Sequence, residues 1–163
     1  MMKRRRQEYK TDYHARLRLL KSGKPRIVFR KTNRYVIGQY VQSKAAQDAV
    51  AMQANSCELL KLGWPKASAG SLKSLPACYL TGLLLGKRIK ERYGQQESIL
   101  DLGILRNAAG SRIYAFVQGV KEGGVLIKVD ETFFPKKEKI QGSHIKKDLA
   151  PLLDKIAKNI EHE

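Results

Sequence analysis

The sequence predicts an α/β fold, a mixed β-sheet with helices packed on it, and three observations predict it. Residues 26–41, RIVFRKTNRYVIGQYV, read as a β-hairpin: two runs rich in Val, Ile, Phe and Tyr flank Lys31-Thr32-Asn33-Arg34. Downstream of Ser74 a helical period places Leu80, Leu83, Leu84 and Ile89 on one side. ILDLGIL (99–105) is then an apolar run of strand length, followed by a helix with Ile113, Phe116, Val117 and Val120 inward. Strand, helix, strand, helix in that order points to a mixed sheet.

Each element has a local reason. Residues 1–10 show no apolar period and are expected to order only on a partner. Thr11 is the expected cap of a short helix reaching Arg18 or Lys21, with Tyr13, Leu17 and Leu20 on one stripe. Ser22-Gly23-Lys24-Pro25 ends it. In the hairpin, Arg30 should face Tyr35, Val28 face Ile37 and Arg26 face Gln39, which leaves Ile27, Phe29, Val36 and Gly38 as a core face. A third strand near Asp48–Asn55 completes an antiparallel meander. Residues 63–74 are a loop rich in Gly, Ser and Pro. Ser74 caps the first long helix, Pro76 is tolerated in its first turn, and Gly94 stops it. Gly82 and Gly86, four apart, permit close packing of that helix on the sheet. Ser111 caps the next helix, which ends at Gly123-Gly124. Residues 128–147 have little period. Asp148 then caps a last helix whose stripe of Leu149, Leu152, Leu153, Ile156 and Ile160 is expected to pack on the protein's own core. The chain divides into a basic arm with a short helix (1–24), an α/β core (25–127) and a C-terminal extension with a terminal helix (128–163).

Composition narrows the function. Of 163 residues, 42% are hydrophobic, enough for a globular core. The net charge of +17 directs the chain to polyanions. That charge is uneven: residues 1–34 hold 13 Lys/Arg against Glu8 and Asp12, a basic arm before a nearly balanced globule. No apolar run approaches the ~20 residues of a membrane span. The charged N-terminus lacks the apolar core of a signal peptide. Cys57 and Cys78 have no metal-ligand spacing and are expected to be buried and reduced.

Catalytic patterns fail. TGLLLGKR (81–88) is one residue short of a phosphate loop, has no Ser or Thr after Lys87, and lies inside a helix. His14, His144 and His162 lie in the arm and tail. Asp101 has no evident acidic companions and is read as a structural hydrogen-bond partner at a strand end. No enzyme, cofactor, metal or small-molecule substrate is expected. Cations interleaved with Tyr9, Tyr13, Tyr35 and Tyr40 suit RNA instead: Arg and Lys meet phosphates, tyrosines stack on unpaired bases, and Thr32 and Asn33 can hydrogen-bond base edges or 2′-hydroxyls. Lys87 and Arg88 load a helix end, where they serve RNA or the helix dipole. The hairpin's positive charge has no neighbouring acid in the sequence to balance it.

YKTDYHARLRLLKSGKPRIVFRKTNRYVIGQYV (9–41) resembles the N-terminal signature of a family of large-subunit ribosomal proteins that bind 5S rRNA, the eighteenth universal protein of that subunit, in its archaeal–eukaryotic form. PACYLTGLLLGKRIKERYG (76–94), ILDLGILRNAAGSRIYAFVQGVKEGG (99–124) and IQGSHI (140–145) are similar to that family in the same order. The resemblance implies a three-layer α/β sandwich around a mixed sheet, ribonuclease-H-like but non-catalytic, with a basic N-terminal arm and a C-terminal helical tail. It implies binding of 5S rRNA and its attachment to 23S rRNA in the central protuberance, beside neighbouring large-subunit proteins. Carried over residue by residue, the RNA-binding set is Lys3, Arg4, Arg5, Arg6, Tyr9, Lys10, Tyr13, Arg16, Arg18 and Lys24 in the arm. In the hairpin it is Arg26, Arg30, Lys31, Thr32, Asn33, Arg34 and Tyr35, with Lys87 and Arg88 beyond. Thr32 stands where the family commonly has serine, and the stretch between Gly124 and Ile140 is short beside the eukaryotic relatives. The alternative reading is a general basic RNA-binding or chaperone module. A ribonuclease on the same scaffold would need clustered carboxylates.

Overall fold

A computed structural model describes residues 4–44, 47–142 and 149–161. The expected cap Asp148 lies outside them. A single turn, α1 (Arg4–Gln7), precedes α2 (Tyr13–Lys21). Asp12, not Thr11, caps α2: its carboxylate accepts from the amides of His14 at 2.9 Å and Ala15 at 3.0 Å. A carboxylate there also meets the positive helix end, and the Thr11 hydroxyl instead accepts from Arg5 Nε at 2.9 Å.

Five strands form one mixed sheet in the order β3-β2-β1-β4-β5: β1 (Arg26–Lys31), β2 (Val36–Lys44), β3 (Gln47–Asn55), β4 (Glu97–Asp101) and β5 (Leu126–Ile127). The first three make the expected antiparallel meander, and β4 runs parallel to β1. The hairpin register differs from expectation by two residues: Arg30 faces Ile37, Val28 faces Gln39 and Arg26 faces Val41. The reason is that β1 continues through Lys31, which pairs with Val36. A slip of two preserves the faces, so Ile27, Phe29, Val36 and Gly38 are buried together.

Helices α3 (Leu75–Tyr93) and α4 (Arg112–Glu122) pack on that face. The Phe29 and Phe116 rings lie 5.2 Å apart, and Tyr40 and Tyr93 lie 5.3 Å apart. Gly82 and Gly86 serve a different contact from the one expected. They let α3 approach α4 rather than the sheet: a Cβ on Gly82 would run into the Phe116 carbonyl, and one on Gly86 would lie 2.6 Å from that of Val120. Gly119 of α4 and Gly123, just past its end, answer against the backbone of Tyr79 and of Gly86. Three glycines on two facing helices, and a fourth at the end of one, thus bring backbone against backbone. Ser74 and Ser111 stand at the N-cap positions, but neither side chain bonds a first-turn amide.

β4 ends at Asp101, short of the expected 105. The Asp101 carboxylate accepts from the Gly103 amide at 2.9 Å, and Gly103 turns the chain at φ +58°. Ile104 and Leu105 are left exposed. Cys78 is buried and Cys57 only partly so; both are free thiols.

After a single helical turn, α5 (Lys137–Ile140), the final helix α6 (Ala150–Glu161) packs on the core as its stripe predicts. Leu153, Ile156 and Ile160 are buried, with Leu149 and Leu152 partly buried beside them. Asn159 Nδ2 donates to the Leu62 carbonyl at 2.8 Å. Among the described residues no helix is long and apolar enough to cross a membrane.

Two substitutions test this packing by urea melts. Gly82→Ala should destabilise by about 3 kcal/mol or more, because helix backbone rather than a movable side chain must give way. Ile156→Ala should cost about 2–5 kcal/mol, whereas an unchanged midpoint would mean that α6 does not contribute to the core.

Candidate nucleic-acid interface

The hairpin divides into a neutralised root and a bare tip. At the root, Arg26 is buried, its side chain only 4% exposed. Its guanidinium donates to Asp101 Oδ2 at 2.8 Å, to Asp48 Oδ1 at 2.7 Å and to Ser43 Oγ at 3.2 Å. The other oxygen of Asp48 holds Arg16 of α2 at 2.8 Å. Acids from β3 and β4 therefore balance this cation, which corrects the reading of a hairpin without counter-charges and takes Arg26 off the accessible surface. Burial pulls the Asp48 carboxyl up, but hydrogen bonds from Ser43, Arg26 and Arg16 outweigh it and hold the group below the ordinary carboxylate range. Asp101 is thereby the structural partner that its position at a strand end suggested.

The tip is closed from within. The Thr32 amide donates to the Tyr35 carbonyl at 2.9 Å. The Thr32 hydroxyl donates to the same carbonyl at 2.7 Å and accepts from the Tyr35 amide at 3.0 Å. That hydroxyl shapes the loop that presents its neighbours, with its proton given to the turn and one acceptor lone pair left over. The Asn33 carbonyl accepts from Lys73 Nζ at 2.9 Å, a brace that sequence reading did not single out because forty positions separate the two residues. Arg30, Lys31, Asn33 and Arg34 are exposed, and Tyr35 is half-buried against the core. Among the described residues no acid lies within ion-pair distance of Arg30, Lys31 or Arg34.

The arm is more self-occupied. Glu8 pairs with Arg4 at 3.2 Å and with Lys10 at 2.7 Å, and Lys24 pairs with Glu97 at 2.6 Å. All are exposed or nearly so, and such pairs are worth ~0–1 kcal/mol and exchange readily for phosphate. Arg5 and Arg18 are exposed, Tyr13 is half-buried, and Tyr9 is 89% exposed with φ +51°. Lys3 and the Arg6 side chain lie outside the described residues.

Lys87 and Arg88 have partners within the fold. Lys87 Nζ donates to the Ile160 carbonyl at 2.5 Å at the C-terminal end of α6, and lies 3.7 Å from Glu91. Arg88 pairs with Glu58 at 2.8 Å and donates to the Gln53 carbonyl at 3.2 Å. Both hold secondary elements together. Among the described residues no group of three or more His, Cys, Asp or Glu is placed to hold a metal ion.

An unneutralised cationic tip on a rigid sheet, with a basic arm before it, suits a polyanion-binding protein. Comparison with known proteins is more specific. The family model described as "Ribosomal large subunit proteins 60S L5, and 50S L18" matches residues 1–99. The large ribosomal subunit protein uL18 of Korarchaeum cryptofilum is 46% identical over 142 residues, 87% of this chain and 70% of that protein. Its counterpart in Methanospirillum hungatei is 44% identical over 142 residues, 87% of this chain and 78% of that protein. That of Methanoculleus marisnigri is 39% identical over 159 residues, 97% and 87% of the two chains. The chain belongs to this family of large-subunit ribosomal proteins. Its role is therefore structural rather than enzymatic, in the ribosome, with ribosomal RNA and other ribosomal proteins as partners.

The buried pair gives two expectations. Arg26→Ala should destabilise the fold by about 3–5 kcal/mol, since it strands two partly buried carboxylates, yet leave the salt dependence of RNA binding unchanged. Because Asp48 is depressed in the folded state, its contribution is fully present at neutral pH and is lost as pH falls below the ordinary carboxylate range. Melting temperature followed against pH should show this acid limb, and Asp48→Asn should flatten it.

Proposed function

We propose that this protein binds 5S rRNA and helps to attach it to 23S rRNA in the central protuberance of the large subunit. The hairpin tip serves as the selective contact and the arm as the electrostatic one. The observation that carries this reading is the tip itself: Arg30, Lys31 and Arg34 are exposed without acidic partners, on a turn already closed by Thr32. An isolated protein gains nothing from such a cluster, whereas RNA supplies the missing charge. Donors on a preformed turn lose less conformational freedom on binding than donors on a free arm. The resemblance of residues 9–41 to the 5S-binding family supports the choice of RNA.

Competition filter binding of 5S rRNA against tRNA in moderate salt tests the proposal. Arg30→Ala and Asn33→Ala should weaken 5S binding by ~1–3 kcal/mol and tRNA binding by less. Equal losses on both RNAs would leave a general basic RNA-binding module instead. Deleting residues 2–6 should weaken both RNAs alike and lower the salt slope by ~0.7–0.9 for each phosphate no longer neutralised.

A further inference from the structure

The cationic surface does not stop at the hairpin. Lys73, in the segment before α3, reaches the tip through its bond to the Asn33 carbonyl at 2.9 Å. A lysine ammonium has three donors, so this bond leaves two. On the other side, the Phe29–Phe116 ring contact ties the end of β1 to the first turns of α4. Arg112, the first residue of α4, lies one turn before Phe116 and is exposed. Gly82 of α3 lies against the backbone of Phe116 and Gly119 of α4 against that of Tyr79, so the two helices start side by side. No acidic residue occupies the first turn of α3 or of α4, and among the described residues no ion pair neutralises Lys73 or Arg112.

We propose that Lys73 and Arg112 extend the RNA-binding surface beyond the hairpin, as two phosphate contacts at the end of the sheet where the tip and the first turns of α3 and α4 converge. Lys73 has a second role as a positioning residue, holding the Asn33 segment while its remaining donors meet the backbone. This rests on the reading of the tip as an RNA contact, but it concerns phosphate rather than the identity of the RNA.

The test is a salt titration of the full chain with 5S rRNA and, in parallel, with tRNA. The variants are Arg112→Gln, Lys73→Gln and, as a control on the exposed side of α6, Lys158→Gln. Arg112→Gln and Lys73→Gln should each lower the slope of log K against log salt by ~0.7–0.9 on both RNAs. Lys158→Gln should leave it unchanged, and Arg112→Lys should keep the wild-type slope. Lys73→Gln should in addition reduce the preference for 5S rRNA over tRNA, which neutralising a phosphate would not do by itself. Melting temperatures confirm that each variant is folded. Slopes for Arg112→Gln and Lys73→Gln equal to that of Lys158→Gln would overturn the proposal. A wild-type protein without preference for 5S rRNA would sink the 5S reading alone, because the slopes on either RNA still decide whether these two residues meet phosphate.

Discussion

The buried guanidinium of Arg26 is the constraint on which the sheet depends. It sits on β1, between β2 and β4 in the sheet, and bonds an acid on β4 and another on β3 beyond β2. The pairing is costly to assemble, because three charged groups leave bulk water, and costly to break, because removing one strands the others. Such a network specifies as much as it stabilises. Asp48 and Asp101 meet the same guanidinium only when β3 and β4 are both in place, and Asp48 reaches Arg16 only when α2 lies against the sheet. The helix that follows the arm is thereby fixed to the same residues that fix the strands.

The consequence for the surface is a separation of charge by depth. The cation at the root of the hairpin is neutralised inside, while those at the tip are left to solvent. Lys87 and Arg88 repeat the pattern on α3, where a cluster that looks like a nucleic-acid patch in sequence serves a helix end and a neighbouring strand. Net charge alone does not distinguish these cases. How far a cation is buried and how many partners the fold gives it distinguish Arg26, with three partners and a side chain 4% exposed, from the exposed Arg30, Lys31 and Arg34.

The glycine-lined contact between α3 and α4 sets the other half of the architecture. Backbone meets backbone along four glycines, so two helices fit side by side on one face of a small sheet, with Phe116 and Leu85 both over Gly38. A close crossing of this kind is rigid, since no side chain can rearrange to relieve it. It holds the first turns of both helices near the end of β1, and so fixes the ground on which the tip stands. Residues 4–10, before α2, have no such support and make only exposed ion pairs and hydrogen bonds. Tip and arm accordingly differ in how much freedom each has left to lose on binding.

The sequence by itself determined the element types, the buried faces and the polyanion chemistry. Alternation in β1 and β2, helical periods in α3, α4 and α6, and the pile of cations in residues 1–34 are all local patterns. They survive even a two-residue register slip, because the strand period is two. Tertiary structure decided which cations stay available. Asp48 and Asp101 lie 22 and 75 positions from Arg26, and Lys73 lies forty from Asn33. No local pattern announces such pairs, and an ion pair depends on a few ångströms that only the packed chain fixes. The same holds for Gly82 and Gly86: their spacing announced a close approach, but the partner was a helix, chosen by which element covers that face of the sheet. Thr32 shows the limit most simply. Its hydroxyl was legible as a donor and acceptor, but that the carbonyl and amide of Tyr35 are the groups the turn brings back to it was not.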